Sequence, residues 1–431
     1  MRKRLFRKFR YRNCDSMACC LEDMARKGWH FTGWGWGMVF ERGTPAEVCY
    51  DVEVFPKGSE MDLRPSKEAE EYAEYCREAG WELIDSRKKF CVFRQMKEEA
   101  ISIVTPAERF QNVKSAEVRE YLPRLFSQLF LTVLFWGQLL TGNFERWIFD
   151  DLMLFALVLY LLVFIGTVVE GAVLLFWIRQ KRKILADGGD PFYGYMKNGK
   201  KNKYGRNIFE AGQYIVLLLI LLAAVYEAIR TGTVAVVLIL GAALLIIGGA
   251  GVLLSVLKPS REENWLIQVG SVFLVPMALV ILCVSLIAAD QNEEPVEYSQ
   301  SDVPLVQTDY KDMAGGIFDI RKEHGQSVMG SADTSMVVYE TGTEDTDAIH
   351  YTVYTSQYDW VLKKIWGRQM KTMAGAKDVT AQWDAVNAVM SSTTVTTYTV
   401  RYPEKILIMW VTEAPLDTAQ IETVCKKLAL P

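Results

Sequence analysis

The stretch from Val234 to Leu257, VAVVLILGAALLIIGGAGVLLSVL, contains Ser255 as its only polar side chain. As a helix rising ~1.5 Å per residue, it is long enough to cross a hydrocarbon core of ~30 Å. Four further apolar segments flank it. Residues 152–178 hold Glu170 as their only ionisable group, and residues 265–289 contain Pro276, which predicts a kink. Residues 125–140 carry Ser127, Gln128, Thr132 and Gln138, residues 214–229 carry Glu227, and both fall below the usual ~20 residues. Together the five segments predict a five-helix transmembrane region over 121–289.

Charge orients these helices. The chain opens with Arg2, Lys3, Arg4, Arg7, Lys8, Arg10 and Arg12, and the connector 178–210 is rich in Lys and Arg. Basic connectors stay on the cytoplasmic side. No apolar leader with a cleavage site precedes residue 121, so the expectation is a multi-pass cell-membrane protein with a cytoplasmic N-terminus and an extracytoplasmic C-terminus. Trp136, Trp147, Trp177 and Trp265 stand near the proposed span ends, where amphipathic rings favour the interface.

The formal charge of −4, with 50% apolar and 23% charged residues, excludes a disordered chain and a nucleic-acid partner recruited by global basicity. That charge is also unevenly spread. From Asp290 onward there are 12 basic and 21 acidic residues, or −9, leaving 36 and 31, or +5, before it. Six of the eight cysteines precede residue 110, without a CxxC pair, which fits scattered thiols in a reducing compartment better than a zinc site.

Residues 1–110 read as an α+β domain in which a helix–strand–strand unit occurs twice. Met17, Cys20, Leu21, Met24 and Ala25 follow helical spacing, Asp15 or Ser16 can cap that helix, and Gly28 ends it before a strand at Trp29. Val48, Tyr50, Val52 and Val54 alternate with Cys49, Asp51 and Glu53, which predicts a strand with one buried face. Ser66 then caps a helix bearing Ala69, Tyr72, Ala73 and Cys76, Gly80 ends it, and Trp81 begins a strand pairing with Phe90–Phe93. The expected arrangement has both helices on one face of one antiparallel sheet.

These residues carry a family resemblance. Met24-Ala25-Arg26-Lys27-Gly28-Trp29-His30, Tyr50-Asp51-Val52-Glu53-Val54-Phe55, Ala79-Gly80-Trp81-Glu82 and Phe93-Arg94 together resemble the bacterial family known as domain of unknown function 2812, over roughly residues 5–105. The resemblance implies a Gram-positive source, several membrane helices after the domain, and a regulatory or stress setting, often near a PadR-type repressor. The family has no assigned activity, so no catalytic residue carries over.

Gly33-Trp34-Gly35-Trp36-Gly37 opens no helix and lacks the spacing of a dinucleotide loop. A strand bulged at Gly33 fits better, with Trp34, Trp36, Met38 and Phe40 on one parity. Trp34 and Trp36 are either core aromatics or a face for a cytosolic protein partner. The basic N-terminal residues either bind anionic membrane lipid or only enforce topology. Glu170 is the leading intramembrane polar candidate, as a proton or cation ligand or as a protonated carboxyl bonded to a neighbouring helix. Glu227, close to Arg230, reads as an interface residue that snorkels.

Residues 290–309 read as a flexible linker, with Glu293, Glu294, Pro295, Ser299, Ser301 and Pro304. Beyond it, 310–431 predict an extracytoplasmic α+β domain, with strands at 316–320, 335–339, 349–354, 395–401 and 406–411 and helices at 358–370 and 417–428. His324 and His350 stand alone, and no HExxH, GxSxG or Walker sequence occurs. The sequence therefore points to no enzyme, catalytic residue, metal or cofactor. The preferred expectation is a sensor or regulator coupling an extracytoplasmic domain to a cytosolic interaction domain. The alternative is a transporter, or its accessory subunit, using an intramembrane carboxylate.

Overall fold

A computed structural model describes residues 1–142, 144–197, 200–202, 248–271, 298–311, 317–339, 347–373, 375–392, 395–412 and 415–431, with isolated residues between 215 and 241. The chain divides into two compact units, one of residues 1–130 and 162–289, the other of residues 131–161 and 290–431.

In the first unit, β1 (Arg2–Leu5) leads to α1 (Cys14–Arg26), which Gly28 ends in the left-handed conformation at φ +76°. β2 (Trp29–Gly35) and β3 (Gly37–Arg42) form a tight hairpin with Trp36 at its tip. β1 pairs with the far side of β3, giving the antiparallel order β1-β3-β2. β4 (Tyr50–Val54), α2 (Lys67–Glu78), β5 (Trp81–Arg87) and β6 (Phe90–Gln95) follow, and these strands form a second antiparallel sheet, β4-β6-β5. The Ser66 hydroxyl caps α2 by accepting from the Ala69 N–H, as its sequence predicts.

Two expectations change here. The single sheet is two three-stranded sheets, because the chain reverses at Gly35-Trp36-Gly37 rather than continuing as one bulged strand. The helices also flank the second sheet instead of sharing a face. Met17, Leu21 and Ala25 of α1 pack with Tyr50, Val52, Val54 and Val92, whereas Ala69 and Cys76 of α2 pack with Phe55, Cys91 and Phe93. Adjacent residues of a strand point to opposite faces, so a strand covered on both sides has no solvent face.

The bulge expected at Gly33 is present: β2 shifts register between Phe31 and Gly33, and β5 shifts between Leu83 and Asp85. The two bulges meet. The Trp34 N–H donates to Asp85 Oδ2 at 2.8 Å, and a Cβ on Gly33 (φ +146°) would lie 2.5 Å from that same oxygen. Gly33→Ala is therefore expected to destabilise the first unit by roughly 1–3 kcal/mol, read as a lower urea midpoint. An unchanged midpoint would show that the junction yields.

The five-helix transmembrane region is not supported. Among the described residues one helix, α5 (Asp151–Ala186), is long and apolar enough to cross a membrane. The expected span at 125–140 is the second half of a longer helix, α3 (Pro106–Thr141), whose first half carries Glu108, Arg109, Lys114, Glu117, Arg119, Glu120 and Arg124. Between α3 and α5 lies the short α4 (Phe144–Ile148). Most of the expected spans 214–229 and 265–289 lies outside the described residues, and of 234–257 the structure describes residue 241 and the helix Gly248–Leu257. The multi-pass assignment and the compartments derived from counting five crossings fall with this finding.

In the first unit β7 (Tyr195–Lys197) also pairs antiparallel with β8 (Lys200–Asn202). In the second unit, β9 (Ile317–Ser327), β10 (Gly330–Tyr339), β11 (Asp347–Thr355), β12 (Lys377–Asp378), β13 (Asn387–Ser392), β14 (Thr396–Arg401) and β15 (Lys405–Val411) build one antiparallel sheet. Its order is β12-β13-β14-β15-β11-β10-β9. Alternation along β15 separates two cores. Ile406 and Ile408 face the helix Asp359–Thr372, together with Phe144, Ile148 and Phe149, while Leu407 and Met409 face the helix Thr418–Lys427. The expected flexible linker is corrected over its described part: Val303, Leu305 and Val306 are buried in the second core. Backbone N–H groups tie it there, Leu305 donating to Tyr351 Oη at 3.2 Å and Gln307 to Tyr339 Oη at 2.6 Å.

Candidate functional site

Two largely enclosed charge clusters among the described residues of the first unit hold its long helices in place. The first centres on Arg109, in the first turn of α3. Its Nη2 lies 2.9 Å from Asp15 Oδ1 of α1 and 2.9 Å from Asp51 Oδ1 of β4, and its Nε lies 3.4 Å from Glu53 Oε1. Asp15 also accepts from the Tyr193 N–H at 2.6 Å, and the Arg109 guanidinium sits 5.8 Å from the Tyr193 ring.

Three carboxylates surround one guanidinium, so the cluster carries excess negative charge if all are ionised. Glu53 is the most enclosed, at 2% exposure. As carboxylate acceptors its two oxygens find no hydrogen-bond donor among the described residues. Burial pushes its pKa from the ordinary 4.5 up to about 8; Arg109 opposes that rise, while Asp51 and Asp15 reinforce it. A protonated Glu53 donates to Asp51, which also favours the neutral acid. Glu117 of α3 adds another tie by accepting from the Arg12 N–H at 2.9 Å.

The second cluster holds Glu170. Its carboxylate pairs with Arg10 Nη1 and, at 3.1 Å, with Arg124 Nη1 of α3. Glu170 is 3% exposed and lies on a stripe of α5 with Thr167, Leu174 and Ile178, all buried. That spacing is one helical face. Tyr121 Oη donates to the Thr167 carbonyl at 3.1 Å, and Phe110, Val113 and Ala116 of α3 belong to the same core as Leu174 and Ile178. Glu170 is thus neutralised by two basic residues, one of them far away in sequence.

The other sequence candidates separate. Trp34 is half-buried, its ring 5.2 Å from that of Phe31, edge to face. Trp36 is 49% exposed at the hairpin tip and meets the 64% exposed Phe6 edge-on at 5.0 Å. Glu227 lies outside the described residues. His350 stacks on Trp410, and the His324 ring nitrogen lies 2.6 Å from Asp333 across the β9–β10 pair. The Arg109 cluster was missed because alternation placed Asp51 and Glu53 on a solvent face. Its one sequence signal was two acids on a strand flanked by apolar helices.

Residues 13–119 match the family described as Protein of unknown function (DUF2812). The first unit therefore carries a DUF2812 domain. Asp15, Asp51, Glu53, Arg109 and Glu117 all lie inside the matched segment, which ends part-way along α3, whereas Arg124 and Glu170 lie beyond it. The Arg109 cluster thus lies within the matched segment, whereas the Glu170 clamp ties α3 and α5 to Arg10, just before that segment. No curated protein and no solved structure matches the chain.

Proposed function

We propose that the chain is a regulator that couples its C-terminal α+β unit to its N-terminal DUF2812 domain, through which it engages a partner protein. One observation carries this reading: α3 and α5 each contribute residues to both units, and ion pairs fix α3 to the DUF2812 domain through Asp15 and α5 to Arg10, just before that domain. Displacing such a helix disturbs charges held largely out of solvent, so a change at one end has an energetic consequence at the other. A transport role draws no comparable support, since the Glu170 carboxylate already has two guanidiniums.

Removal of residues 298–431 and, separately, Glu170→Gln in the full chain are expected to alter the same transcripts and the same protein cross-links to the DUF2812 domain in the producing organism. Immunoblots control for abundance. If both proteins accumulate normally and leave transcripts and cross-links as in the parent, the coupling reading is wrong.

A further inference from the structure

We propose that the cationic and aromatic N-terminal surface of the first unit docks on an anionic phospholipid bilayer. This inference is independent of the regulatory reading. Among the described residues β1 is an edge strand, paired with β3 alone, and its Arg2, Lys3 and Arg4 are exposed. Directly after it, Phe6 stands in contact with Trp36, both rings largely in water. Large aromatic rings beside Lys and Arg suit the headgroup region: the rings partition at the boundary, and each cation gains ~1 kcal/mol near an anionic surface.

An acidic protein segment would also satisfy the cations, and a second observation decides against it. Arg10 is bonded to Glu170 of α5, and Phe6 lies four residues from Arg10, at most about 14 Å of backbone at ~3.5 Å each. Beside Glu170 on that helix, Val168, Val169, Val173, Leu175 and Phe176 are exposed. An acidic peptide along β1 would leave those apolar side chains bare. A bilayer takes up cations, rings and apolar helix face together.

The test is flotation of the full chain with vesicles of phosphatidylcholine alone or containing about 30% phosphatidylglycerol, an anionic surface of the kind that attracts basic segments. Because the apolar helix partitions into both, the readout is the ratio of binding to the two. The parent chain is expected to favour the anionic vesicles at least tenfold. Lys3→Glu combined with Arg4→Glu should reduce that ratio about tenfold or more, at ~1 kcal/mol per charge. Phe6→Ser with Trp36→Ser should weaken binding to both vesicle types. Urea midpoints matching the parent's identify variants that fold. Equal binding of the parent to both vesicles, or a ratio unmoved in a folded charge variant, overturns the proposal. So does displacement by polyglutamate, with the vesicle ratio at one, which would assign the surface to an acidic protein.

Discussion

Arg109→Ala is expected to cost the DUF2812 domain about 3–5 kcal/mol at pH 7, the range for removing one partner from a buried ion pair. The substitution deletes the guanidinium shared by the partly buried Asp15 and Asp51 and the buried Glu53. A domain of this size has only about 5–15 kcal/mol in hand, so the loss takes a large part of it. Pulse proteolysis in urea, read on peptides from residues 13–119, reports that domain separately from the second unit. Arg109→Lys should recover part of the loss, because an ammonium restores the charge without the planar fork that reaches Asp15 and Asp51 together. A midpoint for Arg109→Ala equal to the parent's would show that the cluster contributes nothing net.

Such a residue is hard to see in the sequence because its partners are distant. Asp15 is 94 residues from Arg109 and Asp51 is 58 away. Local signals served well where the determinant was local: Ser66 caps α2, Gly28 and Gly80 end helices at positive φ, and Gly33 sits in a bulge. The C-terminal strands were legible for the same reason, since alternation along 349–354 and 406–411 reports a sheet whatever covers its faces.

Failures came where the covering mattered. Hydropathy alone cannot distinguish an apolar face turned to lipid from one turned to protein, and the window at 125–140 began part-way along a helix whose charged half starts at Pro106. Within 152–178 the stripe Thr167, Glu170, Leu174 and Ile178 is packed against protein, a periodicity hidden by the apolar residues around it. A carboxylate in an apolar helix is costly unless it is paired. Glu170 is paired with Arg10, 160 residues away, and with Arg124, 46 away, separations that leave no local signal. The polar composition of 290–309 likewise concealed Val303, Leu305 and Val306, three apolar residues that pack into the second core.

The stability of the DUF2812 domain is expected to fall as pH rises from about 5 to 8, and Glu53→Gln is expected to flatten that fall. The sign follows from which state binds the proton. Burial holds Glu53 protonated in the folded chain up to about pH 8, whereas in the unfolded chain it ionises near 4.5. Between those values the folded state carries one proton more, so its stability declines by up to ~1.4 kcal/mol per pH unit. The contribution is fully present below 4.5 and is lost as pH passes through about 8; above that both states are ionised and the slope vanishes. Every charged neighbour acts on this balance: Arg109 from α3 draws the proton off, while Asp51 beside it and Asp15 from α1 hold it on. Glutamine fills the same space without an ionisable group, so the variant's urea midpoint should change less than the parent's between pH 5 and 8. Equal slopes for the two proteins would place the pH dependence elsewhere and leave Glu53 ionised at neutral pH, its charge carried by Arg109 after all.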